Sequence, residues 1–135
     1  MKIGILGCGV ISNTYIQEIQ RIYEKTLEIV AVADMDQARA KATAEKYQVP
    51  FALTVEELLA YKDIQLIVNL TPPMAHKELN MRILESGKHL FCEKPFALTV
   101  EDAQEVAQLA EEKGLYIGAA PDTFLTAPIQ SCRKL

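Results

Sequence analysis

Residues 2–12, Lys2-Ile3-Gly4-Ile5-Leu6-Gly7-Cys8-Gly9-Val10-Ile11-Ser12, run from an apolar stretch through a glycine pair into an amphipathic one. The apolar run reads as a buried strand. Gly7 permits a tight strand-to-helix turn, and Gly9 lets backbone approach a phosphate with no Cβ in the way. The N–H groups at Val10 and Ile11, with the positive end of the helix dipole, then face an anion such as a dinucleotide pyrophosphate. Ser12 stands where this fingerprint usually has a third glycine, and its small side chain still lets helix pack closely on strand. Strand, turn and helix also ask for glycines on steric grounds alone, so the pair needs support from elsewhere in the chain.

That support comes from the next apolar run, Leu27-Glu28-Ile29-Val30-Ala31-Val32-Ala33, which ends in Asp34, 22 residues after Ser12. An acidic residue ~20 positions on is where the adenosine ribose hydroxyls find their acceptor. A carboxylate there repels a 2′-phosphate, so Asp34 points to NAD rather than NADP, with Arg39 and Lys41 working against that preference. The competing structural role for Asp34 is to cap the helix expected at about 36–47, and Asp36 suits that role at least as well.

The 135 residues fit one domain, half of them hydrophobic, with no apolar run near the ~20 residues of a membrane span and no signal peptide. A soluble, cytoplasmic protein is expected. Cys8, Cys92 and Cys132 are odd in number and widely spaced, which indicates neither a disulfide framework nor a zinc site. A thiol at a helix N-terminus can be reactive, but Cys8 reads better as a small filler in the turn. The net charge of −4 with no basic cluster argues against a nucleic-acid partner.

Strand and helix signals alternate throughout: strands near 2–7, 27–33, 50–53, 65–70, 88–92 and 115–119, helices near 10–23, 37–48, 55–61, 73–86 and 100–113. Thr54 with Glu57 and Thr99 with Asp102 resemble capping boxes, and Gly87 and Gly114 sit where helices should stop. In the last helix Val100, Ala103, Val106, Ala107 and Ala110 fall on one face. Right-handed crossovers then predict an α/β fold, a doubly wound parallel sheet of the Rossmann type with strand order 3-2-1-4-5-6.

Ligands of such sheets bind beyond the carboxyl ends of the strands, where strand order reverses. The fourth strand ends in Asn69-Leu70-Thr71-Pro72-Pro73-Met74-Ala75-His76. Pro72 keeps Thr71 out of helical angles and Pro73 is pre-set for a first helical turn, so the segment is a rigid ledge, with His76 expected at the exposed start of the helix. The fifth ends in Phe91-Cys92-Glu93-Lys94-Pro95. Lys94 reads either as half of a surface ion pair or as an ammonium that holds a substrate oxygen in a water-poor cleft.

These segments together resemble the Gfo/Idh/MocA oxidoreductases, named for glucose-fructose oxidoreductase and inositol dehydrogenase. The likeness covers the chain and rests on Gly7-Cys8-Gly9-Val10-Ile11-Ser12, Ala31-Val32-Ala33-Asp34, Thr71-Pro72-Pro73-Met74-Ala75-His76 and, most specifically, Ser86-Gly87 through Glu93-Lys94-Pro95. It implies oxidation or reduction at a carbinol carbon of a sugar, cyclitol or related polyol. Lys94 is the implied catalytic residue. Gly7, Gly9, Val10, Ile11, Asp34, Thr71, Pro72, His76, Glu93 and Lys94 are the implied cofactor-binding residues, with NAD favoured over NADP and no metal. A cis Lys94-Pro95 bond is also expected.

Family members look two to three times longer, with a second domain that completes the substrate site. Residues 1–120 thus read as the dinucleotide-binding domain. Residues 121–135, with Leu125, Ile129 and Cys132 at helical spacing and Pro128 near the start, read as the first part of a helix leading to a missing C-terminal domain. Phe124, Leu125, Ile129 and Leu135 need cover, from the sheet's own helices or from another copy, and a homo-oligomer is expected. Two other readings stay open: a stand-alone, non-catalytic NAD-binding or sensing module, for which Lys94 has no evident use, and a methyltransferase, whose cofactor lacks a pyrophosphate.

Overall fold

The computed structural model describes residues 1–120. The tail helix expected over 121–135, and the oligomer expected from its apolar residues, lie outside them.

Twelve elements alternate along the described chain. They are β1 (Lys2–Leu6), α1 (Val10–Ile22), β2 (Glu28–Ala33), α2 (Gln37–Tyr47), β3 (Phe51–Leu53), α3 (Val55–Ala60), β4 (Leu66–Asn69), a short 3-10 turn (Pro73–Ala75), α4 (His76–Glu85), β5 (His89–Cys92), α5 (Val100–Glu112) and β6 (Ile117–Ala119). The six strands form one sheet in the order β3-β2-β1-β4-β5-β6, every pair parallel, which is the expected doubly wound topology.

Two cores explain why the central strands read as continuous apolar runs: both of their faces are covered. On one face Ile3, Ile5, Ile29, Val32 and Val68 pack under Ile16 and Ile19 of α1 and Ala40, Ala44 and Tyr47 of α2. On the other, Leu6, Val30, Ala31, Ile67 and Leu90 pack under Leu58 of α3, Ile83 and Leu84 of α4, and Val106 and Ala110 of α5. Each fully buried Ile or Leu contributes ~1.5–3 kcal/mol. The chain changes faces at α3, which carries it from the edge strand β3 back to β4 beside β1. Strand order reverses there, between β1 and β4.

Local punctuation accounts for the helix ends. Thr54 and Glu57 form a full capping box at α3. At α5 only half forms: Thr99 accepts from the Asp102 N–H, while the Asp102 carboxylate takes Lys77 at 2.6 Å. Gly87 and Gly114 close their helices with positive φ, at 79° and 64°. The stripe expected on α5 is corrected in part. Val106 and Ala110 are buried, but Val100 and Ala107 face solvent and Leu109 takes the remaining place in the core. The helix expected from 73 starts as an α-helix only at His76, because Pro72 and Pro73 supply no N–H and the Ala75 N–H closes a tight turn on the Pro72 carbonyl at 2.9 Å.

Candidate functional site

The expected site residues gather at the carboxyl ends of β1, β2, β4 and β5. Gly7 follows β1 with φ at +99°, and a Cβ on it would stand 2.8 Å from the Leu70 carbonyl carbon and oxygen. The glycine turn therefore lies directly on the chain leaving β4, which brings Thr71 and Pro72 beside it. Gly9 is different. Its φ of −74° suits any residue, and a Cβ there would meet nothing within 4 Å. Folding requires a glycine at 7 and makes no such demand at 9.

The start of α1 fits an anion. No side chain caps it and no acidic residue lies in its first turn. Val10 is almost fully exposed and Ile11 partly so, leaving this helix end open to solvent and its dipole unmatched. Ser12 is buried and donates its hydroxyl to the Gly9 carbonyl at 2.6 Å. A glycine could not make this bond, so the departure from the fingerprint braces the turn. These are observations that fit a dinucleotide pyrophosphate across Gly9, Val10 and Ile11.

Asp34 ends β2 as expected, but it is more deeply engaged than a ribose acceptor needs to be. It is 6 % exposed. One carboxylate oxygen accepts the Cys8 N–H at 2.8 Å and the other accepts the Asp36 N–H at 2.8 Å. Arg39 places its guanidinium 3.4 Å from both oxygens. Asp34 thus ties the glycine turn to β2, and its remaining acceptor capacity faces a half-exposed arginine. The helix cap is Asp36, which accepts from the Ala38 and Arg39 N–H groups.

At the end of β5 the Lys94-Pro95 bond is cis. The Lys94 side chain is exposed and makes no hydrogen bond or ion pair with any described residue, so the surface ion-pair reading finds no partner among them. Glu93 looks inward. It accepts the Tyr15 hydroxyl at 2.8 Å with one oxygen and the Lys94 N–H at 2.8 Å with the other. The carboxylate that resemblance assigns to the cofactor thereby joins α1 to the turn that carries Lys94.

His76 corrects the expectation of an exposed residue. It is 1 % exposed, with its ring nitrogens 2.6 Å from the Pro95 carbonyl and 2.7 Å from the Thr71 carbonyl. Asn80, one turn on, accepts from Asn69 at 2.8 Å and reaches the Phe96 carbonyl at 3.3 Å. Asn69 in turn accepts the Thr71 N–H and hydroxyl. Sequence reading passed over Tyr15, Asn69 and Asn80. A signal for the last was present: His76 and Asn80 share a helical stripe with Ile83 and Leu84, and polar residues on a buried stripe need interior partners.

Cys8 and Cys92, the cysteines among the described residues, are both buried. Burial pushes both the Cys8 and the Cys92 thiol up to about 11. Because the folded values lie above the ordinary 9.0, the associated stability is complete below pH 9 and is lost as pH rises toward 11. In a Cys132→Ser variant at pH 8, both thiols should react with an aromatic disulfide reagent at least ~100-fold more slowly when folded than in urea. Equal rates would refute the burial argument.

Residues 1–120 match the oxidoreductase family with an NAD-binding Rossmann fold, GFO_IDH_MocA. The chain belongs to this family. It is 29 % identical over 116 residues to inositol 2-dehydrogenase of Salmonella typhimurium, covering 84 % of this chain and 34 % of that protein. Among solved structures, it superposes on an NAD binding oxidoreductase from Klebsiella pneumoniae with a TM-score of 0.88 at 26 % identity, over 99 % of this chain and 38 % of the other. It superposes equally well, 0.88 at 25 % identity, on KijD10, a 3-ketoreductase from Actinomadura kijaniata solved with NADP and TDP-benzene, over 98 % and 40 %. The chain spans about a third of the length of the curated relatives it matches. No helix among the described residues of this Gfo/Idh/MocA domain is long and apolar enough to cross a membrane.

Proposed function

We propose that this domain is the cofactor-binding half of an oxidoreductase that works at a carbinol carbon of a polyol, cyclitol or sugar, with NAD as its preferred cofactor and Lys94 on the substrate side. The observation that carries this reading is Lys94 itself: an ammonium with no partner among the described residues, on a turn tied through Glu93 and Tyr15 to the helix whose open N-terminus suits the pyrophosphate. Gly9, Val10 and Ile11 would hold the phosphates, Asp34 a ribose, and Thr71 and Pro72 would border the nicotinamide half. When bound, the dinucleotide supplies a hydride acceptor or donor. Lys94 would hold the substrate oxygen and stabilise negative charge on it as the carbinol carbon changes oxidation state. The inositol 2-dehydrogenase relative supports a hydroxylated ring as the substrate class.

The choice between dinucleotides rests on Asp34 against Arg39. The carboxylate is buried and fixed by two backbone N–H groups, whereas the guanidinium is half exposed and stands at 3.4 Å, long for a charge-assisted bond. NAD should therefore bind more tightly than NADP by ~10-fold in calorimetric titration, and Arg39→Ala should widen the ratio. Equal affinities, or tighter NADP, would overturn the assignment. The role of Lys94 is tested by grafting residues 1–120 into the Salmonella inositol dehydrogenase in place of its matching part. There Lys94→Ala should lower turnover by ~100-fold or more while NADH affinity moves less than ~3-fold. Unchanged turnover would remove Lys94 from the chemistry.

A further inference from the structure

The structure assigns the buried pair Asn69 and Asn80 a task at the cofactor site: they hold the proton of the Thr71 hydroxyl inward, so that Thr71 can accept a hydrogen bond from a bound dinucleotide but cannot give one. The Asn69 side-chain oxygen stands 3.2 Å from the Thr71 backbone nitrogen and 2.7 Å from its hydroxyl oxygen. A backbone N–H can only donate, so the atom that faces it is the Asn69 carbonyl oxygen and not the NH2. That oxygen carries no proton, and the short contact with the hydroxyl is therefore made by the proton of Thr71. The Asn69 NH2 then points to Asn80 at 2.8 Å, which meets it with oxygen, and the Asn80 NH2 donates to the Phe96 carbonyl at 3.3 Å. Both ends of this chain of bonds are backbone groups with fixed roles. Both asparagines are fully buried, so neither amide can turn over without setting donor against donor or acceptor against acceptor.

What this leaves for a ligand is narrow. The Thr71 N–H is spent on Asn69, its carbonyl faces the His76 ring at 2.7 Å, and Pro72 has no N–H to offer beside it. The lone pairs of the Thr71 hydroxyl remain, and no described residue donates to them. Thr71 is half-buried and lies against the glycine turn, where a Cβ on Gly7 would stand 2.9 Å from its nitrogen. A dinucleotide brings two kinds of group to such a place. Its phosphate oxygens only accept, and a hydroxyl whose proton is already taken has nothing to give them. Its ribose hydroxyls and its carboxamide NH2 donate. This role rests on the cofactor reading above and deepens it: Thr71 meets a donor on the nicotinamide side rather than the pyrophosphate beside which it stands, and Asn69 and Asn80 are positioning residues that act through it.

Calorimetric titration of the whole chain with NADH, ADP-ribose and ADP tests this. Thr71→Val keeps the shape and removes the acceptor. It should weaken NADH ~10-fold while ADP, which ends at the phosphates, stays within ~2-fold, and Thr71→Ser should bind NADH within ~3-fold of the unaltered chain. A loss for ADP-ribose as large as that for NADH places the donor on the ribose, and no loss places it on the carboxamide. Equal losses for NADH and ADP, or none for either, would overturn the assignment of Thr71. Asn69→Ala frees the hydroxyl to turn, and should weaken NADH ~5-fold by itself but less than ~1.5-fold in the Thr71→Val background. An undiminished cost in that background would mean a general structural role and remove the asparagines from positioning. Should Asn69→Ala not fold, Asn80→Ala, which removes the acceptor that keeps the Asn69 amide turned, takes its place in the cycle. Binding of none of the three ligands by the unaltered chain would bring down the cofactor reading itself, whereas NADH binding indifferent to Thr71→Val would remove Thr71 alone.

Discussion

Replacing Gly7 by alanine should cost ~3–5 kcal/mol of folding stability, whereas replacing Gly9 by alanine should cost less than ~0.5 kcal/mol and abolish dinucleotide binding instead. The two glycines are two residues apart and carry the same fingerprint, yet their surroundings are opposite. At Gly7 a side chain meets an unfavourable φ of +99° and, at 2.8 Å, backbone atoms of Leu70 that cannot swing aside. At Gly9 the backbone is extended and the space above it holds no protein atom within 4 Å. Urea denaturation of both variants, with NAD titrations alongside, checks the pair. A Gly9→Ala protein that binds NAD normally would remove the pyrophosphate from that position. Gly7→Ala with full stability would mean the turn relaxes in a way the close contact with Leu70 forbids.

Asp34→Ala should be nearly as damaging, and in two currencies at once. The buried Cys8 N–H loses its acceptor, the Asp36 N–H loses another, and Arg39 loses its carboxylate. A buried donor left unsatisfied costs ~1–3 kcal/mol, so a loss of ~2–4 kcal/mol is expected, alongside weaker NAD binding. Asparagine should not rescue it: its one carbonyl oxygen can serve only one of the two N–H groups, and its amide would point donor at donor. Thermal or urea denaturation without cofactor decides this. Were Asp34→Ala fully stable and altered only in NAD against NADP preference, Asp34 would be a cofactor selector alone and its bond to Cys8 would be incidental.

Much of this was legible in the chain itself, for a physical reason. Strands buried on both faces must be apolar almost throughout, so Ile3–Leu6 and Ile29–Ala33 announce a parallel sheet, and the handedness of crossovers leaves few strand orders to choose from. The glycine turn, the acid at the end of β2 and the proline ledge were readable because each imposes a local backbone requirement that only certain residue types meet. The caps at Thr54 and Asp36 were readable for the same reason.

What only the tertiary structure decided is which way the polar groups of the site face. Asp34, His76 and Glu93 are all residues that a linear reading aims at a ligand. In the folded domain Asp34 grips Cys8 and Asp36, His76 bridges Thr71 to Pro95, and Glu93 joins Tyr15 to Lys94. The bonds from Asp34 to Cys8, from His76 to Pro95 and from Glu93 to Tyr15 span separate segments, and no periodicity or local spacing encodes a distance across strands. Lys94 is the converse case: sequence offered it equally as ion-pair partner or as catalyst, and the fold surrounds its ammonium with no described partner. Sequence determined the scaffold because hydrophobic pattern and backbone sterics act along the chain. The assignment of each polar side chain to bracing or to chemistry belongs to the packing of β4, β5 and α1 against one another, which exists only once the sheet has formed.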